Sequence, residues 1–196
     1  MRIGFDAKRA FSNNTGLGNY SRDTIQILSS YIPHNKYFLY TPKNNKSTRA
    51  SLIYKRENTT VCTPQSLLDK TFKKYWRSKS VVKDLISNQV EIYHGLSNEL
   101  PLGIEKTSIK TVVTIHDLIF MRYPHFFKEI DRRIYHKKFK SACERADKII
   151  AVSEQTKKDI IDYFFISANK IKVVYQGCNQ IFQNKISEKT KKLTNK

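Results

Sequence analysis

Short apolar runs alternate with longer segments of helical periodicity along almost the whole chain. Runs of apolar and β-branched residues predict strands at residues 2–6, 37–40, 59–63, 90–93, 111–115, 148–152 and 170–176. Apolar positions three and four residues apart predict helices over 16–32, within 67–87, from Pro124 to about 147, and over 153–164. The polar segments 7–15 and 43–50 are predicted loops. This alternation is typical of an α/β fold, with a parallel sheet and helices on both faces.

Two of the predicted helices carry apolar positions that we expect to face the core. In the segment 67–87 these positions are Leu68, Phe72, Trp76, Val82 and Leu85 or Ile86. In the helix that starts at Pro124 they are Phe127, Ile130, Ile134, Phe139, Ala142 and Ala146.

The segment 110–120, KTVVTIHDLIF, is the central strand of this prediction. Its near-continuous apolar run is typical of a strand that is buried on both faces of a parallel sheet. It ends in His116 and Asp117, and ligands of parallel α/β folds bind at the carboxyl ends of the strands. The pair is therefore a candidate for catalysis. The alternative is structural: His116 would bond to its neighbours and Asp117 would cap the next turn.

Two further features are predicted at the same end of the sheet. Gly16, Leu17 and Gly18 lie between the first strand and the first helix, where glycines and free N–H groups can approach a phosphate. The third glycine of a dinucleotide-binding pattern would fall at Ser21, so a nicotinamide site is disfavoured. A tight turn requiring positive φ is the alternative. His94, followed by Gly95, ends another strand, and two strand-ending histidines beside a glycine loop indicate a site.

Composition restricts the partners without choosing one. The 196 residues include 36 Lys and Arg against 17 Asp and Glu, a formal charge of +19, which favours polyanions, phosphorylated ligands or anionic lipid. No apolar run approaches the ~20 residues of a membrane span, and the charged N-terminus is unlike a signal peptide. The three cysteines are isolated, and no ligand spacing indicates a metal. We expect a cytoplasmic protein with reduced thiols and no cofactor.

The helix predicted from Pro124 carries six basic residues, Lys128, Arg132, Arg133, Lys137, Lys138 and Lys140. They predict a solvated face. The alternative is a surface for anionic lipid, with Phe126, Phe127, Tyr135 and Phe139 beside them, which would place the protein on the inner face of a membrane.

Taken in order, these motifs resemble the N-terminal domain of retaining glycosyltransferases of family 4 (group 1), which have the GT-B fold. The similar segments are TGLGNY at 15–20, YHG at 93–95, TIHDL at 114–118, ADKIIAVSEQTKKDI at 146–160, and VVYQGC at 173–178 followed by Phe182. Gln176 and Asn179 depart from the family pattern, which often has Asn and Asp at these positions.

The resemblance implies a Rossmann-like acceptor-binding domain, with a parallel sheet and helices on both faces, that faces a Rossmann-like donor-binding domain, with no metal. His116 would contact the transferred sugar or its phosphate, and Asp117 would orient it. Gly16, Leu17 and Gly18 would approach the donor phosphate. Asn19, Tyr20, His94 and Gly95 would contact a sugar or lipid-linked sugar acceptor. The reaction would move a sugar from a nucleotide-sugar to an acceptor hydroxyl with retention, in polysaccharide or glycan biosynthesis.

The sequence predicts a single domain over residues 1–184 and a lysine-rich polar tail over 185–196. The family's donor domain is absent from these 196 residues, so we expect little or no activity from the chain alone, with the missing half supplied by a further domain or a subunit. One alternative is a non-catalytic basic α/β module that binds an anionic membrane or a partner subunit. A nucleic-acid binder has only the charge in its favour and lacks a recognition signature, so no nucleic-acid partner is expected.

Overall fold

The computed structural model describes residues 1–44 and 48–177. The strands are β1 (Arg2–Asp6), β2 (Lys36–Tyr40), β3 (Thr59–Cys62), β4 (Ile92–Gly95), β5 (Lys110–Ile115), β6 (Lys148–Ala151) and β7 (Ile171–Val173). The helices are α1 (Lys8–Ser12), α2 (Gly16–Tyr31), α3 (Thr48–Tyr54), α4 (Leu67–Thr71), α5 (Lys73–Tyr75), α6 (Val81–Ser87), α7 (Ile119–Arg122), α8 (Glu129–Arg145) and α9 (Glu154–Phe164). A π-helical turn, Trp76–Ser80, connects α5 to α6.

The seven strands form one parallel sheet in the order β3-β2-β1-β4-β5-β6-β7, which confirms the predicted α/β fold. The core lies on both faces of this sheet. Successive residues of β2 point to opposite sides, so Leu39 packs with Phe5 and Ile25, whereas Tyr40 packs with Trp76. Helices α1, α2 and α3 cover the first face, and α6, α8 and α9 cover the second.

The structure corrects several predicted boundaries. Strand β4 covers residues 92–95 instead of 90–93, and β7 covers 171–173 instead of 170–176. Helix α1 lies within the predicted loop 7–15, and α3 begins inside the predicted loop 43–50. The long helix starts at Glu129 instead of Pro124, because residues Pro124–Phe126 form a separate 3₁₀ turn.

The predicted apolar stripe of α8 is wrong in its first half, where Ile130 is 66% and Ile134 is 45% exposed. At about 1.5 Å per residue the helix is roughly 25 Å long, whereas the adjoining β6 is only about 13 Å long. The helix therefore extends beyond the sheet, and its fully buried residues, Ala142 and Cys143, lie near its C-terminus.

The predicted burial of Leu68 and Phe72 is also wrong, since these side chains are 73% and 61% exposed. The backbone of Phe72 leaves the helical region with φ −97° and ψ 56°, which separates α4 from α5. Trp76 and Leu85, further along the segment, are buried as predicted.

Other predictions lie partly outside the described residues. The lysine-rich tail 185–196, the domain boundary at 184 and the family-like positions Cys178, Asn179 and Phe182 are among them. Cys62 and Cys143 are free thiols, and burial raises the pKa of Cys62 to about 11 and that of Cys143 to about 12. Among the described residues, no helix combines the length and apolar character that crossing a membrane requires.

Candidate active site

The strand order places a crevice above the carboxyl ends of β1 and β4. From β1 the chain moves outward to β2 and β3, and from β4 it moves outward in the other direction to β5, β6 and β7. Ligands of open parallel sheets bind at such a reversal. The connection that leads into α2 forms one edge of this crevice, together with the carboxyl ends of β4 and β5. We call this edge the rim.

The glycine turn at the rim is held by Asn13. Its side-chain oxygen accepts hydrogen bonds from the backbone N–H groups of Thr15 and Gly18 at 2.8 and 3.2 Å. A Cβ atom at Gly18 would lie 1.9 Å from the carbonyl oxygen of Asn13, whereas one at Gly16 would meet nothing within 4 Å. Neither glycine has positive φ, so the positive-φ alternative is wrong. Close packing against Asn13 explains why residue 18 is glycine.

The N-terminus of α2 makes the rim receptive to an anion. The first N–H groups of any α-helix lack partners within the helix, and here they belong to the turn at Gly16 and Leu17. The first turn of α2 contains no acidic residue. Its positive partial charge is therefore not neutralised locally.

His116 lies at the rim in a defined orientation. Its Nε2 is 2.9 Å from the carbonyl oxygen of Leu96, which can only accept, so Nε2 carries the proton and donates. Gln176 then donates from its side chain to Nδ1 at 3.3 Å. The backbone N–H of His116 donates to the Asn98 side chain at 3.0 Å. Burial lowers the pKa of His116, which favours the neutral ring with its one lone pair at Nδ1.

Tyr20 joins the glycine turn to His116. Its ring meets the His116 ring edge-on, with the centroids 4.7 Å apart. Its hydroxyl lies 3.0 Å from the Oγ1 atom of Thr114, which lies on β5 two residues before His116. The structure thus brings the predicted glycine turn, Tyr20 and His116 together.

Asp117 makes the contact that the structural alternative predicted, a bond at the start of the next turn. The residue is exposed, and its Oδ1 accepts the N–H of Ile119 at 3.2 Å, which caps the start of α7. Within the described chain, Leu96 and Gln176 orient the His116 ring through side-chain bonds. Asp117 acts on His116 through its charge, which raises the pKa of the imidazole against the larger effect of burial. A catalytic role for Asp117 remains a prediction.

His94 does not open onto the crevice, contrary to the expectation from its strand-end position. The residue is 7% exposed, and its Nε2 lies 2.8 Å from Thr114 Oγ1. Burial, followed by the nearby His116, lowers the pKa of His94 to about 4. His94, Thr114 and Tyr20 form a buried polar chain that supports the rim from below. Contact of His94 with an acceptor remains a prediction.

The remaining predicted residues have structural contacts. Gly95 is buried, and a Cβ there would lie 2.1 Å from the carbonyl oxygen of Glu99. The Asn19 side chain accepts a hydrogen bond at 2.6 Å from Arg22, which also donates to the Asn13 carbonyl at 2.9 Å. Arg22 therefore fixes the glycine turn from within α2.

Sequence reasoning missed a second polar cluster beside the rim. Asp6 ends β1 and is buried, and it accepts hydrogen bonds from Arg77 at 3.0 and 3.2 Å. Arg77 also donates to Glu99 at 2.7 Å. Burial acts to lower the pKa of Arg77, but the Asp6 and Glu99 carboxylates raise it overall. No short motif marks this cluster, because its members are far apart in the sequence.

The cluster lines a groove of about 330 Å³ between the sheet and α8. Its other walls include Tyr93, Leu102, Ile134 and Lys138. Throughout residues 1–44 and 48–177, no group of three or more His, Cys, Asp or Glu side chains is placed to hold a metal ion.

Comparison with protein families gives one match. The sequence profile of Glycosyltransferase Family 4 matches residues 34–180, which include His94 and His116 and exclude the glycine turn. A search of curated protein sequences finds no match.

Solved structures share the fold. A glycosyltransferase from Rickettsia africae ESF-5 is 14% identical, with a TM-score of 0.56 over 99% of this chain and 48% of its own. Anabaena Alr3699/HepE in complex with UDP is 16% identical, with a TM-score of 0.61 over 100% of this chain and 49% of its own. The chain therefore spans about half the length of these structures, and at such identities the likeness shows the fold alone.

Proposed function

The chain belongs to glycosyltransferase family 4, and we propose that it is the acceptor-binding half of an enzyme that transfers a sugar from a nucleotide-sugar to an acceptor hydroxyl with retention. The observation that carries this proposal is the edge-on contact between the Tyr20 and His116 rings, whose centroids are 4.7 Å apart. It joins a helix N-terminus that can receive a phosphate to an imidazole that can receive a sugar. We place the reaction in polysaccharide or glycan biosynthesis.

The Nδ1 atom of His116 is the ligand-facing atom in this proposal. Its Nε2 proton is committed to Leu96, and the present donor to Nδ1 is the exposed side chain of Gln176 at 3.3 Å. A hydroxyl of the transferred sugar can replace Gln176 as the donor. The neutral, acceptor form of the ring suits this task, and burial favours that form.

The donor diphosphate would lie against the start of α2. The N–H groups of Gly16 and Leu17 and the positive end of the helix would stabilise the negative charge that grows on the departing diphosphate. Most of the contacts to the nucleotide would come from a donor-binding domain. One of the similar structures contains UDP, so uridine diphosphate is the first nucleotide to test.

The acceptor, a sugar or lipid-linked sugar, would approach from the side of Tyr20 and Asn19. Asp117 would tune the charge of the imidazole from outside. His94 and Gly95 would shape this side from below, since both are buried.

Binding to the isolated chain gives the first test. We expect UDP to shift the amide resonances of Gly16, Leu17 and Gly18 and the imidazole resonances of His116 in NMR titrations. With UDP, a His116→Ala variant should retain the amide shifts. With a UDP-sugar, the same variant should lose the shifts of the sugar resonances that the wild type produces. His125→Ala is the matched control, because His125 is exposed and lies outside the rim. Shifts confined to other surfaces would contradict the proposed site.

Transfer activity gives the second test. We expect the isolated chain to show little or no transfer of radiolabelled sugar, and the chain supplied with a donor-binding domain to show robust transfer. His116→Ala should then lower kcat by about 10²-fold or more, because a group aligned on the transferred sugar is lost. His125→Ala should leave it unchanged. Robust turnover by the isolated chain would refute the half-enzyme proposal, and unchanged turnover by His116→Ala would remove His116 from the mechanism.

A further inference from the structure

An apolar surface lies on α4 and α5. Four large apolar side chains within nine residues are exposed: Leu67 by 84%, Leu68 by 73%, Phe72 by 61% and Tyr75 by 53%. Lysines are interspersed among them at positions 70, 73, 74 and 79, and all except the half-buried Lys73 are exposed. We call residues 67–79 the basic apolar surface.

The local structure holds these side chains outward. Backbone hydrogen bonds from Phe72 to Leu68 at 2.8 Å and from Trp76 to Phe72 at 3.0 Å keep helical spacing across the break at Phe72. Leu68, Phe72 and Tyr75 therefore follow one side at four- and three-residue steps. Trp76 points inward, is 1% exposed, and donates its ring N–H to Asp84 at 2.7 Å. The surface is thus fixed to the core while its apolar side chains stay uncovered.

Its composition favours a lipid bilayer over a protein as the covering partner. Interfaces between proteins are depleted in lysine, whereas helices that lie in the membrane interface combine large apolar side chains with lysines. The surface has one acid, Asp69, whose carboxylate already accepts a hydrogen bond from Ser66 at 2.7 Å. Among the described residues, no ion pair joins an acid to these lysines.

The basic face of α8, which the sequence also offered for lipid, is less suited to this role. Three of its basic residues are paired with acids: Arg133 with Glu129, Lys138 with Glu99 and Lys140 with Glu144. These pairs reduce the charge that α8 presents.

We propose that the basic apolar surface docks the protein on an anionic bilayer, with Leu67, Leu68, Phe72 and Tyr75 at the level of the headgroups and the lysines against lipid phosphates. Apolar burial and electrostatic attraction add in such binding. This inference is independent of the proposed transfer reaction, because it would hold for a non-catalytic domain as well.

Vesicle flotation of the full chain tests the proposal. We expect binding to vesicles that contain phosphatidylglycerol and much weaker binding to phosphatidylcholine alone. The double variant Leu68→Ser, Phe72→Ser should bind the anionic vesicles at least about tenfold more weakly, because two apolar side chains no longer enter the interface. The matched control is Phe126→Ser, Ile130→Ser. It removes side chains that are 73% and 66% exposed just before α8 and in its first turn, and it should bind as the wild type does.

Charge and depth give two further readouts. Replacing Lys70, Lys73 and Lys74 by Gln should weaken binding to anionic vesicles by about fivefold per lysine and leave phosphatidylcholine binding unaffected. A Trp placed at Phe72 should be quenched by brominated lipid, and a Trp placed at Phe126 should not. Circular dichroism confirms that each variant is folded.

Two outcomes would overturn the proposal. One is that the wild-type chain does not bind anionic vesicles at low salt, which would leave a protein partner as the occupant of the surface. The other is a double variant that binds as tightly as the wild type, which would assign the attraction to charge elsewhere in the chain.

Discussion

The close approach of Asn13 to Gly18 can be tested by adding one methyl group. In Gly18→Ala the new Cβ would lie 1.9 Å from the Asn13 carbonyl oxygen and 3.1 Å from that of Arg9. Both neighbours are backbone atoms, so relief requires the segment before α2 to move. That movement breaks the bond from Gly18 N–H to the Asn13 side chain and the bond from Arg22 to the Asn13 carbonyl.

The cost follows from these contacts. Overpacking costs about 1–3 kcal/mol, and a hydrogen bond from a charged group contributes about 1.5–3 kcal/mol. We therefore expect Gly18→Ala to lower the free energy of unfolding by about 3–5 kcal/mol. Gly16→Ala is the matched control, because its Cβ would meet nothing within 4 Å. It should be neutral or stabilising by less than about 1 kcal/mol, the helix preference of Ala over Gly.

Urea denaturation of the full chain measures both values. With a slope of about 2–3 kcal/mol/M, the midpoint of Gly18→Ala should fall by more than about 1 M at an unchanged slope. The same variant should lose the UDP-dependent shifts at Gly16 and Leu17, because the turn is displaced. Equal midpoints for the two variants would refute the reasoning, since they would show that Asn13 does not contact residue 18 in solution.

Buried polar groups beneath and beside the rim give three more expectations. Burial, with the neighbouring imidazole second, lowers the pKa of His94 from 6.5 to about 4, so the unfolded chain takes up the proton first as the pH falls. The free energy of unfolding should decrease by about 3 kcal/mol between these pH values, and His94→Gln should lose most of that slope in urea titrations; an unchanged slope would contradict this. Asp6→Asn removes a buried partner of Arg77 and should cost about 3–5 kcal/mol, whereas Glu129→Gln, in an exposed ion pair, should cost less than about 1 kcal/mol; equal costs would be inconsistent with a buried pair. Thr114→Val should shift the NMR signals of His94 and Tyr20, whose polar atoms bond to the Thr114 hydroxyl, and Thr114→Ser should restore both; failure of the serine variant would point to packing alone.

The fold could be predicted because strand and helix periods are local properties of the sequence. Buried parallel strands require apolar runs, and the run at 111–115 is β5. Helix α3 was missed because it starts within a polar segment, 43–50, that has no apolar period. Burial of a predicted stripe was less predictable, since it depends on what lies opposite. Leu68 and Phe72 have helical spacing but no partner within the described chain that covers them.

The site was predictable to the extent that strand ends define it. His116 follows β5, and its position at the rim required only the strand assignment. His94 also ends a strand, yet the backbone of Glu99 returns to within 2.1 Å of where a Cβ at Gly95 would lie, and the imidazole is buried against Phe5 and Thr114. That return is a long-range feature without a local pattern. The same holds for Arg77, which meets Asp6 across 71 positions of sequence.

The rim owes its shape to this chain and not to a second domain. The hydroxyl of Thr114 is shared between Tyr20 and His94, and His116 is held by Leu96 within the same chain. In the part of the chain that the structure describes, the only buried side-chain nitrogen or oxygen without a partner is Nδ2 of Asn35. A buried polar group without a partner costs about 1–3 kcal/mol, and the hydrogen bonds of Thr114, His94 and His116 avoid this cost beneath the rim. In the proposed half-enzyme, a donor-binding domain would therefore meet a rim that is already formed, and its docking would supply donor contacts without refolding the rim.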